Sequence, residues 1–63
     1  MKHQNVKYTA IAKYSNGKLS NLVSFVTYRA MSNWVNKQFR KDENVTVTVF
    51  HGYTSKIYTI YHA

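Results

Sequence analysis

Tyr14-Ser15-Asn16-Gly17-Lys18 places an Asn-Gly pair between two runs of residues that are rich in apolar side chains. Asn-Gly is a strong signal of a β-hairpin, because both residues tolerate the positive φ angles that a two-residue turn requires. The stretch therefore predicts a turn at Asn16-Gly17 and an antiparallel register in which most apolar residues share one face. From the turn outward, the predicted pairs are Ser15–Lys18, Tyr14–Leu19, Ala12–Asn21, Ala10–Val23, Tyr8–Phe25 and Val6–Thr27.

Residues 20–41 allow two interpretations, a strand followed by a helix or one long helix. At about 100° per residue, a single helix would direct the apolar residues of its two halves to nearly opposite sides. Such a helix needs two burial surfaces, which a chain of 63 residues can hardly supply. Residues 22–28 are also rich in β-branched and aromatic side chains, which favour strands. We therefore prefer the strand followed by a helix.

The helix is predicted to begin near Met31, with Ser32 as its N-cap and Thr27 as the alternative for an earlier start. Acidic side chains are unfavourable beside the negative end of a helix dipole, so residues 42–43 mark its end. Asn44 is expected to form a left-handed cap. A single apolar stripe at helical spacing is formed by Met31, Trp34, Val35 and Phe39.

Two further strands follow the helix. Residues 45–50 alternate between valine and mostly polar side chains, 51–54 form a turn, and 55–61 run back. An odd number of loop residues would bring the apolar residues of both strands to one face, so we predict a loop of three or five residues. That inner face would hold Val45, Val47, Val49, Ile57, Thr59 and Tyr61, and the opposite face Thr46, Thr48, Phe50, Lys56, Tyr58 and Ile60.

This order of elements predicts one α+β domain over residues 1–63, with a ββαββ arrangement and one helix packed on one face of a four-stranded mixed sheet. The layout resembles the β-grasp fold, and the turn at Asn16-Gly17-Lys18 is similar to one in immunoglobulin-binding domains of that fold. The resemblance implies that the first and last strands pair in parallel at the sheet centre, with the second and third at the edges. It carries over no functional residue. The predicted core is Val6, Tyr8, Ala10, Ala12, Leu19, Val23, Phe25, Met31, Trp34, Val35, Phe39, Val45, Val47, Val49 and Ile57.

The charged residues argue against catalysis. Nine Lys and Arg face two acidic residues, Asp42 and Glu43, which are adjacent and so do not supply the separated carboxylates of general acid–base catalysis. The chain has no cysteine, and His3, His51 and His62 lack the spacing of metal ligands. We therefore expect no enzymatic activity, no cofactor and no metal site.

The sequence predicts a cytoplasmic protein that does not enter a membrane. The longest apolar stretch, residues 22–26, is interrupted by Ser24, whereas a membrane span needs about 20 apolar residues. The basic residues at the start are followed by no apolar signal-peptide region.

The net charge of +7 and the predicted outer sheet face suggest a nucleic-acid partner. Lysines neutralise phosphates and release counterions, while aromatic rings stack on bases. The first hypothesis is a small, largely sequence-tolerant protein that binds DNA or RNA. Lysine and tyrosine are also ordinary residues on the solvent face of strands, so the pattern is unspecific. The predicted contacts are Lys7, Lys13, Lys18, Lys56, Phe50 and Tyr58.

The alternative hypothesis is a protein-interaction module. Ile11, Leu22, Val26 and Ile60 would form an apolar patch on the same outer face, rimmed by lysines, as is typical of protein interfaces. Such a module resembles small accessory proteins of phages and mobile elements. It would dock on an acidic surface of a larger host protein and inhibit or recruit that protein. Edge strands without proline or inward charge also predict a possible homodimer.

Overall fold

The computed structural model describes residues 5–62. In chain order, the elements are β1 (Tyr8–Lys13), β2 (Val23–Phe25), α1 (Tyr28–Lys41), β3 (Thr46–His51) and β4 (Ile57–His62). The four strands form one open sheet in the order β2-β1-β3-β4, and all three neighbouring pairs are antiparallel. The fold is therefore α+β, as predicted.

The order of the strands differs from the β-grasp expectation. β1 pairs with β2 and β3, and β4 pairs with β3, so the terminal strands do not meet and the predicted mixed sheet is wrong. β3 takes the central place because its inner face is the more apolar one. Val47 and Val49 of β3, and Val45 just before it, are fully buried, whereas Thr59 and Tyr61 on β4 are half-buried.

The first hairpin has a three-residue loop, and the predicted two-residue turn is wrong. The Gly17 amide donates to the Tyr14 carbonyl at 2.9 Å, and the Tyr14 amide donates to the Lys18 carbonyl at 2.8 Å. Gly17 has φ +87°, which is the left-handed residue that follows a type I turn in such loops. Gly17 alone thus adopts the positive φ that the prediction required of Asn16 as well.

This loop shifts the pairing by one residue close to the turn. Leu19 lies opposite Lys13 instead of Tyr14, and its side chain is 62% exposed instead of buried in the core. Farther from the turn, the predicted register between β1 and β2 is confirmed. An extra residue between Leu19 and Val23 therefore restores the pairing that the hydrophobic pattern favours.

The helix begins at Tyr28, earlier than predicted, and the alternative N-cap is the correct one. The Thr27 hydroxyl accepts a hydrogen bond from the Ala30 amide at 3.2 Å, so it satisfies one of the free donors of the first turn. Ser32 lies inside the helix, and the prediction that it caps the helix is wrong.

The helix ends at Lys41, as the acidic pair predicts, with Asp42 as an extended C-cap at φ −153°. Asn44 does not form a left-handed cap, since no described residue other than glycine has a positive φ. The Asp42 carboxylate accepts hydrogen bonds from the Ser15 amide and hydroxyl, both at 2.8 Å, and from the Asn44 amide at 3.0 Å. These hydrogen bonds hold the pKa of Asp42 below its ordinary value of 3.8. The Ser15 amide has the largest effect, followed by the Ser15 hydroxyl and the Asn44 amide. This contact ties the first hairpin to the end of the helix.

The core lies between α1 and the inner face of the sheet. Small side chains at Ala10 and Ala12 allow α1 to lie close to β1, and α1 also packs on β2. Gln38 is buried with the stripe, which the sequence analysis missed, and it accepts a hydrogen bond from the Tyr14 hydroxyl. The buried apolar residues are Ala10, Ala12, Phe25, Met31, Val35, Val45, Val47 and Val49, with Tyr8, Tyr14, Val23, Trp34, Phe39 and Tyr61 half-buried around them.

The second hairpin contains a β-bulge that changes the predicted faces. The His51 amide donates to the Lys56 carbonyl at 2.9 Å, which leaves four residues, 52–55, in the closed loop, so the predicted odd count is wrong. A register shift next to Phe50 then places Ile57 opposite Phe50, on the outer face and outside the predicted core. Beyond the bulge, Thr59 and Tyr61 lie on the inner face with the valines of β3, as predicted.

The N-cap assignment can be tested by replacing Thr27 and Ser32 with alanine separately. Thr27→Ala removes the acceptor of the Ala30 amide, so we expect the free energy of unfolding to fall by about 1 kcal/mol. Ser32→Ala serves as the matched control and should have a much smaller effect. Urea denaturation followed by circular dichroism measures both variants, and a larger loss for Ser32→Ala would contradict the assignment.

The hydrogen bonds of Asp42 predict that part of the folding stability is lost at acidic pH. Because the pKa of Asp42 is lower in the folded than in the unfolded chain, its stabilisation is present above the ordinary value of 3.8 and is lost as pH falls through the lowered value. Asp42→Ala should lower Tm at pH 7, and its deficit should shrink between about pH 5 and about pH 2. Glu43→Ala makes the same change in net charge and should change Tm at pH 7 far less. Equal Tm losses in the two variants would show that net charge alone is responsible.

Candidate functional site

The sheet face opposite α1, here called the outer face, is not covered by any helix of residues 5–62. Side chains alternate along each strand, so the residues between the buried inner positions point to this face. The outer face is formed by Thr9, Ile11, Lys13, Ser24, Thr46, Thr48, Phe50, Ile57, Ile60 and His62.

The centre of the outer face is apolar. Thr48 pairs with Ile11 on one side and with Ile60 on the other, while Phe50 lies opposite Ile57. The side chains of Ile57 and Ile60 are 52% and 45% exposed, and Ile11 and Phe50 are half-buried. We call Ile11, Phe50, Ile57 and Ile60 the outer apolar patch. Phe50 and Ile57 are the members that the predicted protein interface did not contain.

The other two residues of that predicted interface lie at the edge of the outer face. Leu22 is 55% exposed and Val26 is 43% exposed. They immediately precede and follow β2, outside its paired residues. The structure therefore brings Ile11 and Ile60 into one row across the sheet, and places Leu22 and Val26 beside β2.

A hydrogen-bonded contact fixes the β3–β4 loop to the start of β1. The Thr9 side chain is 2% exposed although it belongs to the outer face, and its hydroxyl donates to the Gly52 carbonyl at 2.7 Å. The Gly52 amide donates to the Lys7 carbonyl at 2.8 Å. Gly52 has φ +55°, and a Cβ there would lie 3.3 Å from the Val6 carbonyl oxygen, which explains the glycine. The sequence pattern gave no signal for this contact.

The four lysines of the predicted nucleic-acid site are exposed, but they lie at two ends of the sheet. Lys7 and Lys56 are at the end that carries the β3–β4 loop, since both contribute carbonyls to its hydrogen bonds. Lys13 and Lys18 are at the end of the first hairpin. Lys7 and Lys13 are six positions apart along an extended chain, which corresponds to about 20 Å. The lysines therefore lie beyond the two ends of the outer apolar patch. Lys56 lies opposite His51 of the inner face, so the prediction that it belongs to the outer face is wrong.

The β-bulge turns Tyr58 away from the outer face. The centroid of its ring lies 5.1 Å from that of the Tyr8 ring and 5.2 Å from that of the His51 ring. The Tyr8 centroid in turn lies 6.3 Å from the ring centroid of Tyr28 on α1. Tyr8 belongs to the inner face, so Tyr58 is on the side of the helix. The expectation that Phe50 and Tyr58 share one face is therefore wrong.

Tyr61 completes a tyrosine cluster, defined here as Tyr8, Tyr28, Tyr58 and Tyr61, on the inner side of the sheet. Burial, followed by a hydrogen bond with Tyr28, raises the pKa of Tyr61 above its ordinary value of 10.0. The Tyr8–Tyr28 and Tyr8–Tyr58 ring pairs, like the His51–Tyr58 pair beside them, have edge-to-face geometry, the favourable arrangement for aromatic packing. Tyr8 and Tyr61 pack against the buried core, while Tyr28 and Tyr58 are 52% and 40% exposed at the margin of the cluster.

The surface is strongly positive. All eight Lys and Arg residues between positions 5 and 62 are exposed. The hydrogen bonds of the Asp42 carboxylate go to neutral groups of Ser15 and Asn44, so this acid is committed to the fold. A second basic group, Lys37, Arg40 and Lys41, lies near the C-terminal end of α1, where positive charge compensates the helix dipole.

The described part of the chain offers an open surface. Residues 5–62 enclose no cleft or cavity, and no three of their His, Asp or Glu side chains gather in one place. Within the same residues, α1 is too short and too polar to cross a bilayer, and it is the one helix there.

The outer apolar patch and its lysine border are thus the candidate site, and their interpretation depends on this chain's own residues. The exposure of Ile57 and Ile60, the placement of the lysines and the turned Tyr58 are the observations that distinguish the two hypotheses. Comparison with family models, curated proteins and solved structures finds no match for this chain.

Proposed function

We propose that this chain is a non-enzymatic protein-interaction module that docks its outer apolar patch on a larger protein. The observation that carries the proposal is the exposure of Ile57 and Ile60 on neighbouring outer positions of one strand, beside Phe50 and Thr48. Contiguous apolar residues with a polar border are typical of protein interfaces. Docking would remove this surface from water, and the partner would be inhibited or recruited as a result.

The charges favour an acidic partner. Lysines lie at both ends of the patch, and the chain carries a net charge of +7. Acidic residues around an apolar surface on the partner would complement this border and accelerate association. A second copy would bring another +7 to the interface, so a homodimer through this face is less favourable than a complex with an acidic protein. We place the interaction in the cytoplasm, the location expected from the sequence.

The outer face lacks part of what a base-stacking platform requires. Of the two predicted aromatic contacts, Phe50 remains on the outer face and is half-buried, while Tyr58 packs on Tyr8 on the other side. Isoleucines have no π-face on which a base can stack. The net charge and the exposure of Lys7, Lys13, Lys18 and Lys56 nevertheless support nucleic-acid binding as the second candidate function.

The interaction proposal predicts a face-specific loss of capture. The tagged chain should retain one acidic protein in a stoichiometric amount from a nuclease-treated lysate of the source cells. Ile60→Lys places a charge within the outer apolar patch and should reduce retention at least about tenfold, as expected when a buried contact is replaced by an unpaired charge. Asn33→Lys adds the same charge on an exposed position of α1 and should leave retention unchanged. Equal retention by the two variants would contradict docking through the outer face.

A charge-reversal pair separates the two candidate functions. One triple variant removes lysines at the two ends of the sheet: Lys7→Glu/Lys13→Glu/Lys56→Glu. The other makes the same change in net charge on α1: Lys37→Glu/Arg40→Glu/Lys41→Glu. If the chain is an interaction module, a fluorescent DNA or RNA oligomer should bind weakly, and both variants should weaken that binding equally. The measurement is fluorescence anisotropy at about 50 and about 200 mM salt, over which three phosphate contacts would cost about 40-fold in affinity. Loss confined to the variant at the two ends of the sheet would instead favour nucleic-acid binding.

A further inference from the structure

β4 is an edge strand, and no strand of residues 5–62 pairs with its second side from Ile57 to Tyr61. It pairs with β3 on one side and is the last strand in the order of the sheet. Alternate residues of an edge strand direct their amide and carbonyl groups away from the sheet, where another strand can bind them. β4 therefore presents a backbone surface that is continuous with the outer apolar patch, since Ile57 and Ile60 belong to both.

Apart from the bulge at its start, β4 lacks the features that usually protect an edge. Protected edges are short, or contain proline, lysine or an inward-pointing charge. β2, the other edge, has three residues and is followed closely by the N-cap of α1. β4 has six residues, Ile57–His62, and contains no proline, glycine, lysine or acidic residue. The bulge disturbs the end beside the β3–β4 loop, and a regular ladder runs from Thr59 to His62.

We propose that the open edge of β4 binds an extended, acidic segment of the partner protein as an additional strand. This inference rests on the proposed interaction function and names the surface and the chemistry of the partner. Backbone hydrogen bonds would supply affinity, and alternating side chains would supply specificity. On the outer side the segment would place apolar residues beside Ile57 and Ile60, and on the inner side it would meet Tyr58 and Tyr61.

Charge identifies the occupant of the edge. Lys56 directly precedes β4, and Lys7 lies at the same end of the sheet. Carboxylates of the added segment are therefore expected at the end that lies beside Lys56. Pairing of β4 with β4 of a second copy would instead bring together two chains of charge +7, without acidic residues on the paired strands.

A peptide selection tests the preference without knowledge of the natural partner. Displayed random peptides of about ten residues, long enough to span an edge strand, are selected on the synthetic full-length chain. We expect the selected peptides to alternate β-branched or aromatic residues with polar ones and to be enriched in Asp and Glu towards one end. In the complex, hydrogen exchange measured by NMR should slow at the outward-facing amides of β4.

Backbone methylation provides the matched control. Ile60 and Tyr61 are consecutive ladder residues, so the amide of one points to β3 and that of the other points outward. Two full-length chains are synthesised, each with a single N-methyl amide at one of these positions. The inward methylation should destabilise the sheet. The outward one should leave the circular dichroism spectrum and Tm close to those of the parent and reduce peptide affinity about tenfold, as expected for one lost hydrogen bond.

The outcomes separate this inference from the proposed function. Selection of no peptide, selection without acidic enrichment, or unchanged affinity of the outward-methylated chain would overturn strand addition at β4. The selected peptides could instead slow hydrogen exchange at the amides around Ile11 and Thr48 and leave exchange in β4 unchanged. That result would also overturn strand addition at β4, and it would agree with docking on the outer face. The chain could also have twice its monomer mass in solution and return to the monomer mass on outward methylation. That result would show that β4 pairs with β4 of a second copy and would overturn the binding of a partner segment. The capture experiment decides the proposed function independently when Ile11→Lys replaces Ile60→Lys, because Ile11 lies on β1 and is not part of the β4 edge, with Asn33→Lys as the control.

Discussion

One helix has to cover a sheet of four strands, and the rest of the structure follows from this mismatch in width. An α-helix with its side chains is about 10–12 Å across, whereas neighbouring strands lie about 4.8 Å apart, so one helix covers roughly two strands. Here α1 packs on β1 and β2, and Ala10 and Ala12 keep it close to the sheet. The inner side of β4 is filled by the tyrosine cluster instead. No helix of residues 5–62 covers the outer face, and the candidate site lies there.

The parts of the fold that depend on burial could be predicted from the sequence, and the turns could not. In both hairpins, the register far from the turn follows from the alternation of apolar residues, because a slip of one residue would expose the core. Each of the two loops differs in length from the prediction by one residue. In the first hairpin an extra residue between Leu19 and Val23 restores the predicted register, and in the second the bulge opposite Phe50 does so. Asn-Gly is compatible with two loop lengths, so the local signal could not choose between them. Thr27 and Ser32 were likewise both suitable N-caps.

The candidate site shows the same division. The pairing of Ile11 and Ile60 across Thr48 follows from strand alternation, and the structure places them together. Tyr58 and Ile57 were each assigned to the opposite face, because the position of the bulge has no signature in residues 50–58. The exchange replaces a tyrosine on the outer face by an isoleucine. That single change makes the surface more apolar than predicted, which is why we propose a protein interface and not a platform for bases.

The central pair of the sheet also determines when the protein can fold during synthesis. β1 is synthesised early, but β3, its neighbour in the centre of the sheet, is synthesised much later. Tyr8 can therefore pair with His51 only after about forty further residues have been added. The first hairpin and the helix can form sooner, yet the valines that seal the core arrive with β3. Folding therefore follows the synthesis of β3, and contacts between residues so distant in sequence slow the reaction relative to a helical domain of this length. Until then, the side of β1 that will pair with β3 remains unpaired on the nascent chain.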